Sequence, residues 1–187
     1  MKTKNILMLI VLIICFVGLG AMETELPPEA NRMKKDHAPT PFTADEIRLG
    51  CPNGRVTKYK IEIPGKPVHF EVTTFVNGTK ETAGFEMTML DTNGNPMGQK
   101  RTATAKWNEL QAHASFPAAD TTITNTQYTT PAGAFDCWLY TVKSEKEGKP
   151  IISKFYFAKS LPGPPVYFTQ ESDGTAIFIM TLMENKQ

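Results

Sequence analysis

The side chains able to do covalent or metal chemistry are few and scattered. The 187-residue chain carries three cysteines, Cys15, Cys51 and Cys137, and three histidines, His37, His69 and His113. A thiolate nucleophile needs an imidazole that lowers its pKa, a group that orients the imidazole, and an open cleft. Cys137 with His69 or His113 is the pair that could supply the first requirement, and the sequence offers nothing for the others. A metal site needs ligands that converge to about 2 Å, and the spacing of these histidines suggests none. His-Glu-x-x-His, Gly-x-Ser-x-Gly, Cys-x-x-Cys and a phosphate-cradling glycine loop are all missing. The expectation is a protein with no catalytic residues, no metal and no cofactor.

The cysteines gain a meaning from the N-terminus. Lys2 and Lys4 precede an unbroken apolar run from Ile6 to Val17, and small residues follow at Gly18 and Gly20. That order is a secretory signal over residues 1–20, cut after Gly20 so that the mature chain begins at Ala21 or Met22. The competing reading is an uncleaved anchor, because the apolar stretch approaches the length of a membrane-spanning helix. Cleavage leaves no stable membrane span. A lipid-modified Cys15 is disfavoured, since Ile14 stands where that signal needs a small residue. Once Cys15 leaves, Cys51 and Cys137 remain as an even pair in an oxidising compartment, where disulfides persist. A bridge would close a long loop worth about 4–5 kcal/mol in the chain-entropy model. Two buried, inert thiols are the alternative.

The formal net charge of +1 carries no basic surplus. Nucleic acid and anionic membrane surfaces, which select clustered positive charge, are therefore not expected partners. Residues 21–42 are rich in Glu, Lys, Pro and Asn, with Pro27, Pro28, Pro39 and Pro41, and read as a flexible polar tether. Residues 43–187 read as one domain. Thr43 and Glu46 form a capping box that starts a short helix, and Gly50 can end it in a left-handed conformation.

From Arg55 the period changes to two. Tyr59, Ile61 and Ile63 alternate with Lys58, Lys60 and Glu62; Val68, Phe70, Val72 and Val76 then repeat the pattern, placing His69 on the polar face. Asn77-Gly78 favours a tight hairpin, and Phe85, Met87 and Met89 mark the returning strand. Asp91–Gly98 is a turn-rich loop, and a short helix over 106–114 follows from the spacing of Trp107, Leu110 and Ala114. Further strands are expected over 121–126, 134–143, 151–158, 166–171 and 175–183, joined by connections short enough for antiparallel neighbours. Trp138 and Tyr140 share one face of their strand, opposite Phe135, Cys137 and Leu139. The strands holding Phe155 with Phe157 and Phe178 with Met180 are apolar on both faces and need cover on both sides. Either they are central strands between two layers, or one face lines an apolar cavity. In the second case Trp138, Tyr140, Phe155, Phe157, Phe178 and Met180 are the candidate ligand-binding residues.

Several runs in the C-terminal third have a counterpart in bacterial envelope proteins: Pro131-Ala132-Gly133-Ala134-Phe135-Asp136-Cys137, then Tyr140, Phe155-Tyr156-Phe157-Ala158 and Leu161-Pro162-Gly163-Pro164-Pro165-Val166. In these the chain resembles the lipoprotein localisation factor (LolA/LolB-like) superfamily and its uncharacterised periplasmic relatives. The resemblance implies an α+β fold in which a curved, half-barrel-like antiparallel sheet packs on one or two short helices and encloses an apolar cavity. In the best-known members that cavity receives acyl chains. The expected function is that of a non-catalytic exported envelope protein, periplasmic or envelope-associated, binding an apolar or lipid-like ligand. An envelope interaction module with a filled core is the alternative.

Overall fold

The computed structural model describes residues 25–187; the signal sequence expected over residues 1–20 lies outside the described residues. Nine strands form one antiparallel sheet: β1 (Val56–Glu62), β2 (His69–Val76), β3 (Thr82–Leu90), β4 (Arg101–Lys106), β5 (Thr121–Thr130), β6 (Gly133–Lys146), β7 (Lys149–Ala158), β8 (Tyr167–Ser172) and β9 (Thr175–Lys186). Their spatial order is β4-β3-β2-β1-β9-β8-β7-β6-β5. Consecutive strands pair as hairpins except β4 and β5, which stand at opposite edges and are joined by a helical connection; β9, the last strand, pairs with β1 at the centre. Two helices, α1 (Ala44–Gly50) and α2 (Trp107–Ala112), complete the α+β architecture.

Local chemistry explains the turns that set the register. Asp173 and Gly174 both adopt positive φ between Ser172 and Thr175, as do Glu147 and Gly148 between Lys146 and Lys149. Two such residues make the tight turn whose twist matches a hairpin. Asn77-Gly78 departs from expectation: only Asn77 has positive φ, and Val76 pairs with Gly84, so the connection is a wider loop. Its shape is held by Trp107, whose indole N–H donates to the Thr79 carbonyl at 3.0 Å.

The capping box forms as expected, with Glu46 N–H donating to Thr43 Oγ1 and Thr43 N–H to the Glu46 carboxylate. Gly50 serves a different purpose from the one expected. Its φ is not positive; instead a Cβ there would stand 2.8 Å from Pro162 Cβ, so only glycine allows the loop after β7 to approach α1. The expectations missed β4, a Thr-Ala-Thr-Ala edge strand that is exposed almost throughout.

The helices lie on the face of the sheet that carries Phe75, Phe85, Tyr140, Val142 and Phe157. The segment expected to be a flexible tether lies there too, as a correction to that reading. Asn31, Ala38, Thr40 and Phe42 are buried. Ala38 N–H donates to the Phe116 carbonyl, and Gln111 links Thr40 Oγ1 to the backbone of Ala44. Composition misled here because Ala38, Thr40 and Phe42 are too few to show a period, yet each fills a place in the core.

Candidate ligand cavity

Facing the helices, β2 turns the opposite side from the one its periodicity suggested. Ile61 of β1 pairs with His69, Tyr59 with Glu71 and Thr57 with Thr73. Paired residues point to the same side of a sheet, so His69, Glu71, Thr73 and Phe75 look toward the helices. Phe70 and Val72 look away, and the Phe70 ring is covered by Lys58, whose ammonium sits 4.6 Å from its centroid. The acidic Glu71 and the short hydroxyl side chain of Thr73 thus stand where large apolar ones would have filled the interior.

The consequence is a cavity of about 380 Å³ between sheet and helices. Its floor is Thr57, Tyr59 and Ile61 of β1, Phe75 of β2, and Phe85 and Met87 of β3; its roof is Phe42, Ile47 and Leu110; Pro164 and Pro165 close one side. A volume of this size lies within the range of about 300–1,000 Å³ found for small-molecule sites. It also exceeds the roughly 150 Å³ of an engineered apolar void that binds benzene. Glu71, Gln111 and His113 are the polar groups at its margin, His113 being exposed to solvent.

Of the expected ligand-binding residues, Phe155, Phe157 and Met180 line the cavity. Trp138 and Tyr140 share their face but are occupied by the chain itself. The Tyr140 hydroxyl donates to the Pro39 carbonyl at 2.8 Å, Trp138 Nε1 donates to the Glu25 carbonyl at 2.9 Å, and Phe42 lies 5.8 Å from the Trp138 ring. Phe178 packs on Phe168 in the neighbouring strand, 5.5 Å between centroids. The walls contributed by β1 and β3 were not singled out in sequence. Phe85 and Met87 alternate cleanly, and that alternation was the available signal.

Cys51 and Cys137 are separate buried thiols rather than a bridge. Cys51 packs with Phe42 and Ile47 on the helix side, whereas Cys137 pairs with Ala158 and points to the other face, beneath Phe135 and Tyr156. Burial, with the Asp136 carboxylate adding to it, pushes the Cys137 thiol up to about 11. It is therefore a poor nucleophile near neutral pH, and His113 lies across the sheet from it. Burial also raises the Cys51 thiol against the opposing pull of Arg55. The Tyr59 hydroxyl is raised above its ordinary range by burial as well. No group of three or more His, Cys, Asp or Glu residues converges as a metal site among the described residues.

Neither family models nor curated proteins match this chain. Solved structures do. A lipoprotein candidate from Parabacteroides distasonis superposes with a TM-score of 0.51 at 11% identity, covering 79% of this chain and 98% of that one. MucB of Pseudomonas aeruginosa, solved as a complex with MucA, superposes with a TM-score of 0.50 at 8% identity. That match covers 76% of this chain and 56% of the MucB-containing chain, so the protein spans about half of its neighbour. A second complex, of MucB with MucA(peri), gives the same TM-score and identity. What is shared is the fold. No helix among the described residues is long and apolar enough to cross a membrane.

Proposed function

We propose that the protein is a non-catalytic component of the bacterial envelope whose cavity takes an apolar or lipid-like ligand. The observation that carries this reading is the empty space itself. Protein interiors are close-packed, and leaving about 380 Å³ unfilled beside exposed polar groups forfeits packing that a filled core would gain. An apolar guest would restore those contacts. Its walls, Phe75, Phe85, Met87, Phe155 and Phe157, mix flat aromatic rings with a flexible thioether, surfaces that adapt to chains or ring systems. Export is supported by the order of charged, apolar and small residues at the N-terminus.

The second reading is an interaction module, and it is favoured by a specific observation: two of the similar structures are complexes of MucB with MucA. In that case a polypeptide partner, not a small molecule, would be the physiological occupant. Native mass spectrometry of the protein purified from its own envelope separates the two. A co-purified species of lipid mass, lost on organic extraction, supports the first reading. A ligand-free protein that retains a polypeptide partner supports the second and overturns the first.

A further inference from the structure

The walls of the cavity are uneven in charge. Among the described residues that line it there is no lysine or arginine, and Glu71 is the one carboxylate. Arg55, the one buried cation among the described residues, lies behind Cys51, Phe75 and Gly163, and its guanidinium donates to Asn185 and to the carbonyls of Gly50 and Pro162. Lys58 and Lys60 flank Tyr59 in β1 and so point to the opposite face of the sheet. There Lys58 pairs with Glu184 at 3.5 Å and Lys60 with Glu62 at 2.9 Å. None of the ion pairs among the described residues involves Glu71. A partly buried carboxylate beside apolar walls gives up hydration, a cost that a bound cation would offset.

Glu71 does not stand alone on the floor. It pairs with Tyr59 across the ladder, and the next pair on the same face is Thr57 with Thr73. All four line the cavity. Tyr59 is only 6% exposed, and its hydroxyl makes no hydrogen bond among the described residues. Directly paired side chains stand about 4.5–5.5 Å apart at Cβ, so the carboxylate and the hydroxyls can reach one small group between them. On its other side Glu71 pairs with Met89, which brings no charge. From α2, Gln111 is already engaged with Ala44 and Thr40, and His113 is exposed. Burial deepens along β2 from the partly buried Glu71 to Phe75, 5% exposed and four residues on, or roughly 13 Å at a strand's rise per residue. The trough therefore has a rim of hydrogen-bond acceptors at its mouth and aromatic walls at depth.

We infer that the cavity selects amphiphiles with an ammonium head, held by Glu71 and the hydroxyls of Tyr59 and Thr73, with the apolar body running inward over Phe75, Phe85 and Met87. This rests on the reading of the cavity as a ligand site and adds the class of head group. An ammonium carries three donors and no acceptor, which suits a rim whose free groups accept. Its bond to a carboxylate is charge-assisted, whereas an alcohol head would gain only a neutral hydrogen bond. A carboxylate or phosphate head would meet Glu71 as a like charge and find no lysine or arginine on the walls to pair with.

The test is displacement of the uncharged fluorophore N-phenylnaphthylamine from the full mature protein at neutral pH. Three probes of equal chain length are compared below the concentrations at which they form micelles: dodecylammonium, dodecanol and dodecanoate. Dodecylammonium should displace at concentrations roughly 10- to 100-fold lower than dodecanol, the range of a charge-assisted hydrogen bond, with dodecanoate weakest. Glu71→Gln, shown to be folded by circular dichroism, should bring dodecylammonium to the level of dodecanol, and Glu71→Asp should retain part of the preference. The three-probe comparison on the unsubstituted protein decides even if Glu71→Gln does not fold. Equal displacement by dodecylammonium and dodecanol, or a preference for dodecanoate, would overturn the inference and leave the apolar cavity standing. So would an ammonium preference that survives unchanged in folded Glu71→Gln. No uptake of the fluorophore would overturn both.

Discussion

Two stretches of the same sheet face meet the helices in opposite ways. Over β6, Trp138 and Tyr140 are sealed by the chain's own 25–42 segment: Phe42 packs 5.8 Å from the Trp138 ring, and Pro39 accepts the Tyr140 hydroxyl. Over β1, β2 and β3, the roof of Phe42, Ile47 and Leu110 stands off the sheet, and the cavity occupies the space between. One difference is in the side chains, since β2 presents Glu71 and Thr73 where large apolar groups would have filled the space. The other is that a buried backbone segment crosses above β6 and β7. A face becomes a candidate binding surface where the fold holds its own cover away from it.

The largest expected effect tests the sealed half. Phe42→Ala removes a ring that is 3% exposed and touches both Trp138 and Phe157, and should lower unfolding free energy by about 3–5 kcal/mol in urea titration. A loss below about 1 kcal/mol would mean that the segment is not part of the core. Tyr140→Phe is a gentler break. It leaves the Pro39 carbonyl buried without its donor and should cost about 1–3 kcal/mol by the same measurement.

Smaller still is the effect of pH on the thiols. The Cys137 thiol titrates near 11 in the folded protein, against about 8.5 for a free cysteine. Below about 8.5 both states hold the proton and the difference costs nothing. As pH rises from there toward 11 the unfolded thiol ionises while the folded one does not, so stability falls. Cys137→Ala should flatten this alkaline decline in thermal melts. Maleimide labelling of unreduced, denatured protein should find both Cys51 and Cys137 free, and an absence of label would restore the bridge.

Much of the sheet was legible because its strands announce themselves by alternation and turn chemistry. Asp173-Gly174 and the Thr43 capping box are local effects, and local residues determine them. Three features were not legible for a common reason. The orientation of β2 depends on which face the helices choose, since Phe70 and Phe75 lie on opposite sides and either could have faced inward. The burial of Asn31 and of residues 38–42 depends on Gln111 and Phe116, distant in sequence. Arg55 looks like an ordinary strand-edge arginine until Gly50, Pro162 and Asn185 are brought around it. Of the candidate ligand residues, Phe155, Phe157 and Met180 were found through strands apolar on both faces. Trp138 and Tyr140 carried the same signal, but covering them was the work of a segment whose composition gave no hint of order.

The central claim is that the space over β1 to β3 is a ligand site rather than a packing defect, and adjacent residues of one strand test it most directly. Met87 points into the cavity and Thr88 to the opposite face of β3. Titrating N-phenylnaphthylamine into Met87→Trp and Thr88→Trp, with urea stability measured on both, compares the two sides at one position in the fold. The expected result is that Met87→Trp changes stability by less than about 1 kcal/mol, because the indole enters empty space, while fluorophore uptake is lost. Thr88→Trp should bind as the unsubstituted protein does. Destabilisation of Met87→Trp by about 1–3 kcal/mol, the cost of overpacking, with fluorophore uptake equal in all three proteins, would contradict the account.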